Sequence, residues 1–181
     1  LGEQRKSFSK TDTDATFMRM KEDHMKNGQL KPGYNLQVST NNQYITHYSI
    51  HQATTDTTTL KEHLTDFKTE YQTMPAVVTA DAGYGSEENY AYLEQNNITA
   101  YVKHSQFDRE QNENLQSKKP FSADKLYYNQ EQDYYVCPMG QHMENSGSYN
   151  KKTAAGFIQT ITQYESKNCN GCPLNGTCHK S

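Results

Sequence analysis

The 181-residue chain has no tryptophan, and nowhere does it gather the ~18 consecutive apolar residues that a membrane-spanning helix needs. Its first ten residues are polar and charged, without the apolar stretch of a secretion signal. There are only four cysteines, and with no secretion signal they point to reduced thiols or a metal site in a cytoplasmic protein, not to a disulfide framework. Charge is scarce too. Charged residues make up 22% of the chain and the net charge is −3, so the footprint of a self-sufficient nucleic-acid binder is missing. Any phosphate contacts are local or lie elsewhere. Apolar residues reach 33%, or about 39% with glycine counted, below the ~45–50% of ordinary domains. Asn, Gln, Thr, Ser and 14 tyrosines take their place, and mean hydropathy is −1.06. Each tyrosine that is buried needs a partner for its hydroxyl.

Along the chain, residues 1–33 read as a basic lead-in, a TDTD turn cluster (residues 11–14) and a loop over 21–33 punctuated by Gly28, Pro32 and Gly33. Tyr34, Leu36 and Val38 alternate with polar residues, and a second run goes from Tyr44 to Ile50. Asn41-Asn42 is the expected hairpin turn between them. Asp56 is the expected N-cap of a helix whose apolar face is Leu60, Leu64, Phe67 and Tyr71. Ala76–Ala80 predicts a buried strand, Ser86 with Glu87 and Glu88 the start of a second helix, and Ile98–Val102 another strand. A polar connector occupies 105–124. In 125–181 a tyrosine-rich hairpin leads to Cys137, and an alternating run from Phe157 to Tyr164 leads to the other cysteines. Hairpin, helix, strand, helix, strand predicts a mixed α/β fold of the α+β kind, with helices covering a sheet.

Asp81, in VVTADAGYGS, is the best single catalytic candidate. A carboxylate at the C-terminal end of a strand, before a glycine-rich turn and a helix N-terminus, sits where α/β sheets place their chemistry. The plainer alternative is an aspartate that starts a turn or caps the next helix. One carboxylate does not hold a pair of Mg²⁺ ions, which need several oxygen ligands.

Taken in order, TDTDATFMRM, GYNLQ, VVTADAGYGSEENYAYL, CPMG and YESKNCNGCPLNGTC closely resemble DDE-type insertion-sequence transposases, in the branch with a cysteine-containing segment after the second catalytic Asp. The resemblance covers Ser9 to Cys178. It implies an incomplete ribonuclease-H-like core at 34–104, followed by a small cysteine-containing, tyrosine-rich β insertion at 125–181. Asp81 corresponds to the family's second catalytic Asp and would be a Mg²⁺ ligand in two-metal phosphoryl transfer on DNA. The family's first Asp lies upstream of anything here, and its last Glu follows the cysteine segment in a pattern not found before Ser181. With Leu1 at the start, the chain reads as the central fragment of a transposase, inactive alone. The expected partners are DNA at transposon ends and a second copy of the chain, with no membrane, in a bacterial cytoplasm. A zinc-stabilised DNA- or protein-binding module without catalysis is the alternative. A third reading is an unrelated metal-dependent hydrolase in which Asp12, Asp14 and Asp81 converge.

Cys169-x2-Cys172-x5-Cys178, with Cys137 upstream, offers four thiolates to a structural Zn²⁺, with His142 and His179 as spare ligands. The same residues are open to a reading as free thiols or as iron–sulfur ligands. His47 and His51 share a face of the hairpin as surface or hydrogen-bonded residues, and His63 is expected to be solvated. Of Lys103, His104, Lys118, Lys119, Lys151 and Lys152, the pair Lys151 and Lys152 beside the cysteine segment is the better candidate for DNA contact.

Overall fold

A computed structural model describes residues 7–20, 25–111 and 121–178. The chain divides into two compact units, Leu1–Asp108 and Arg109–Ser181. Among the described residues the fold is mixed α/β, with four small sheets and few helices. In the first unit β1 (Thr16–Arg19) pairs antiparallel with β2 (Leu30–Gly33), so the predicted loop over 21–33 ends in a strand. Pro32 lies opposite Phe17 in this two-stranded ribbon, where a missing N–H is tolerated on the open edge.

The predicted hairpin is present as β3 (Asn35–Asn41) and β4 (Tyr44–His51). Its turn is Asn42-Gln43, both at positive φ, one residue later than expected. The shift goes with a register irregularity between Ser39 and Thr40. Helix α1 (Leu60–Tyr71) follows, its last turn closed by Gln72 in the left-handed region. Strand β5 (Val77–Ala80) pairs in parallel with β6 (Thr99–Val102), and α2 (Glu87–Gln95) crosses between them. Ser86 caps α2 as predicted, its hydroxyl accepting from the Asn89 N–H at 3.1 Å. Strand β5 is not buried on both faces, since Val77 and Thr79 are exposed. The core is small: Leu60 and Leu64 of α1 meet Leu93 of α2 and Ile98, with Val78 and Val102 against them. A five-residue helix, α3 (Phe107–Gln111), follows β6.

The second unit holds one antiparallel sheet in the order β10-β9-β8-β7: β7 (Tyr128–Asn129), β8 (Tyr134–Val136), β9 (His142–Lys152) and β10 (Ile158–Ser166). Tyr128, Tyr135 and Tyr164 pack ring against ring across it. The hydroxyls of Tyr128 and Tyr164 both donate to Asp133 Oδ1, at 2.7 and 2.5 Å, and hold its carboxyl below the usual range. Tyrosine therefore does here what a larger apolar core does elsewhere, with one aspartate accepting from two hydroxyls.

Candidate active site

Strand β5 ends at Ala80, and Asp81 is the next residue, leading a single helical turn over Ala82–Tyr84. Its Oδ1 accepts the Gly83 N–H at 2.7 Å, so part of the carboxylate does cap the turn. The side chain is exposed, and Oδ2 has no hydrogen-bond donor among the described residues.

A second carboxylate stands beside it. Asp56 leads a turn over Asp56–Thr58 just before α1, but Thr59 is the helix N-cap, and no side chain caps the helix. The expected capping role of Asp56 is therefore wrong. Its carboxylate faces the hairpin, where Oδ1 accepts from Asn35 Nδ2 at 2.9 Å and from Gln37 Nε2 at 3.2 Å. Gln37, only 4% exposed, also donates to Asn35 Oδ1 at 2.7 Å and accepts from the Tyr84 hydroxyl, so its amide is fully used. Burial, then the charges of Asp56 and Asp81, push the Tyr84 hydroxyl up to about 12, which keeps it a donor. A Cβ on Gly83 would lie 2.9 Å from Asp81 Oδ1 and 3.3 Å from Asp56 Oδ2, so these oxygens are within about 6 Å of each other. Gly83 matters for the space it leaves between two carboxylates. Gly85 is needed differently: a Cβ there would strike the Lys103 carbonyl oxygen at 2.4 Å.

The two turns are fastened together. Thr57 Oγ1 donates to the Gly83 carbonyl at 2.8 Å, and Asn89, 1% exposed, donates to the carbonyls of Thr57 and Tyr84, both at 2.8 Å. Lys61 and Glu88 pair at 2.8 Å between α1 and α2. Beside this corner runs a groove of about 580 Å³, lined by residues 37–41 of β3, residues 75–80 at and before β5, and Leu60, His63, Leu64 and Phe67. Among the described residues no strand pairs with the groove-facing partners' free edges, since β3 pairs only with β4 and β5 only with β6.

Asp12 and Asp14 do not converge with Asp81: among the described residues no three His, Cys, Asp or Glu side chains are arranged to hold a metal ion. Asp12 instead accepts from the Tyr34 hydroxyl at 2.9 Å and from the Asp14 N–H at 3.0 Å, which holds its carboxyl below the usual range. His63 is not solvated. It is 6% exposed, with Ser39 and Ser49 hydroxyls 2.6 Å from its two ring nitrogens. Lys103 follows β6 and pairs with Asp108 at 3.4 Å, while Lys118, Lys119 and His179 lie outside the described residues.

In the second unit Lys151 and Lys152 are exposed at the end of β9, opposite Gln159 and Ile158. Burial, then the charges of Cys137, Cys172 and Cys169, push the Cys178 thiol up. Among the described residues the four sulfurs are not drawn in to a metal-binding group. The Gln141 N–H points at Cys137 Sγ at 3.2 Å, and Ser166 Oγ is 3.1 Å from Cys169 Sγ. His142 stacks on Tyr134 at 3.9 Å between ring centroids.

The family model described as "Transposase DDE domain" matches residues 5–163. The chain belongs to the DDE transposase family. No curated protein and no solved structure matches it. Membership ties the transposase domain to DNA transposition in general and to use of a divalent metal, Mg²⁺. The corner around Asp81 offers the donor type such an ion takes, though among the described residues no three His, Cys, Asp or Glu side chains are set to hold a metal. Its donors are hard carboxylate oxygens, and the bare Cα of Gly83 leaves open the space that a Cβ would fill between them. Among the described residues no helix is long and apolar enough to cross a membrane.

Proposed function

We propose that this chain is the middle of a ribonuclease-H-like transposase core and that Asp81 is its second catalytic carboxylate, a ligand of the divalent ions that drive DNA cleavage and joining. The placement of Asp81 carries the reading: an exposed carboxylate follows β5, with one oxygen held by Gly83 and the other without a donor among the described residues. Bound divalent ions supply the charge stabilisation of an in-line displacement at phosphorus. Asp81 fixes where that charge sits, and the fastened turns at 56–58 and 82–84 keep it there. The groove between β3 and β5 is the place of one further strand, giving the order β4-β3-strand-β5-β6 and bringing in the family's first acid. The last acid, a glutamate, also comes from outside these residues, so the 181-residue chain alone does not cleave DNA.

Asp81→Asn in the complete transposase should abolish strand cleavage of a transposon-end duplex while leaving the far-UV circular dichroism spectrum unchanged. Retained cleavage overturns the assignment.

The C-x2-C spacing of Cys169 and Cys172, with Cys178 and Cys137 as further thiols, supports a structural role for the second unit in which these four residues close on Zn²⁺. Lys151 and Lys152 at the end of the β9–β10 ribbon are its candidate phosphate contacts. One equivalent of zinc in freshly purified protein, lost in Cys172→Ser, is the expected result. A zinc-free wild type holds these residues as plain thiols.

A further inference from the structure

We propose that Asp56 is a second carboxylate of the divalent-ion site at Asp81, set in position by the amides of Asn35 and Gln37. The proposal rests on the reading of Asp81 above and adds to it a residue whose sequence position suggests only a helix cap.

Three observations carry it. Asp56 lies three residues before Thr59, the N-cap of α1, and so does not cap the helix that its sequence position suggests. What it does instead is specific. Both amide donors fall on Oδ1, Gln37 is itself locked by Asn35 and Tyr84, and Oδ2 is the oxygen nearest the gap over Gly83. The amides are neutral donors that fix the orientation of the carboxylate. Finally, the two carboxylates lie within about 6 Å of each other across the bare Cα of Gly83, where a cation is attracted to both. Their separation suits ions that stand ~3.5–4 Å apart in two-metal sites. Asn35 and Gln37 are positioning residues. They lie on β3, on the wall of the groove, and so link the hairpin to the strand end that bears Asp81.

The test is Mn²⁺ binding by the 181-residue chain, read from the electron paramagnetic resonance signal of free Mn²⁺, with circular dichroism melts in parallel. Wild type should show saturable binding at or below millimolar Mn²⁺. Asp81→Asn should lose it, and Asp56→Asn should weaken it at least fivefold with an unchanged spectrum. Gly83→Ala, which keeps both charges and fills the gap, should weaken it similarly, whereas Glu94→Gln on the exposed face of α2 should change nothing. Wild-type affinity in Asp56→Asn, with loss in Asp81→Asn, overturns this inference and leaves the Asp81 reading standing. Unchanged affinity in Asp81→Asn, or no binding by wild type, overturns both. If Asp56→Asn fails to fold, Gly83→Ala decides, and wild-type affinity there overturns the inference.

Discussion

On one flank of α1, Leu60 and Leu64 meet Leu93 and Ile98 in a dry cluster, whereas on the other flank His63 stands between the hydroxyls of Ser39 and Ser49. The first contact joins α1 to α2 and the β5–β6 sheet, and the second joins it to the β3–β4 hairpin. Both are well buried, but they fail in different ways. Apolar packing is non-directional and loses stability with the volume removed. The polar contact is a chain of hydrogen bonds in which every group needs a stated role. Glu62 can only accept, so His51 Nδ1 donates to it at 2.9 Å. Ser49 then donates to His51 Nε2 at 2.7 Å and accepts from His63 Nδ1, and Ser39 donates to His63 Nε2. This order satisfies every member with His63 neutral. His47 runs beside the chain, paired with Glu70 at 2.7 Å and 4.8 Å from His63 between ring centroids. The hairpin that orients Asp56 is thus held to the helix by chemistry that depends on protonation.

The largest effect should come from the dry flank. Leu93→Ala removes the least exposed side chain of the cluster, at 1%, and should cost ~3–4 kcal/mol of stability, read from urea unfolding of the whole chain. A cost under ~1 kcal/mol would mean that the leucines do not form the anchor of α1, and the contrast between the flanks would disappear.

Acid should act on the wet flank alone. Burial, then the charges of His47 and His51, hold His63 down at about 4, and only Asp66 nearby pulls it up. Glu62 and Glu70 bind the outer sides of His51 and His47. The unfolded chain takes up a proton on His63 as pH falls through about 6.5, and the folded chain does so only near 4. This contribution is therefore whole above pH 6.5 and lost between 6.5 and 4, amounting to roughly 2–3 kcal/mol at its limit. In His63→Gln that part of the slope should be gone, while Leu93→Ala should keep it. An identical slope in His63→Gln would show that the acid sensitivity belongs to other groups.

The dry flank could be read from the sequence and the wet one could not. Leucines at 60 and 64 with Phe67 announce a helical face because burial follows a period of 3.6. Ser86 before two glutamates announces the start of α2 because capping is local. The end of β5, and with it the place of Asp81, follows from a short apolar run stopped by glycine. His63 lies off the leucine stripe, and its burial depends on two serines on strands 14 and 24 residues away. Asp56 was misread for the same reason, since its partners Asn35 and Gln37 belong to the hairpin. Strand β9 gave no signal because almost all of it is exposed on both faces, which leaves no alternation to detect. Strand β2 was hidden by Pro32 and Gly33, which mark breaks in most strands but are accepted in a two-stranded ribbon.

Ser49→Ala should have the smallest of the three effects and the most local one. The hydroxyl bridges His51 and His63, so its loss leaves one buried acceptor and one buried donor without their partner. Each costs ~1 kcal/mol when water cannot replace the bond, giving a total near ~2 kcal/mol. Ser39→Ala removes a hydroxyl that meets only one imidazole nitrogen and should cost about half as much. The ratio matters more than either value. Equal costs would mean that Ser49 is not a relay between two histidines, and the hairpin would then be held by independent contacts. A Ser49→Ala cost about twice that of Ser39→Ala would show one connected chain from Glu62 to Ser39.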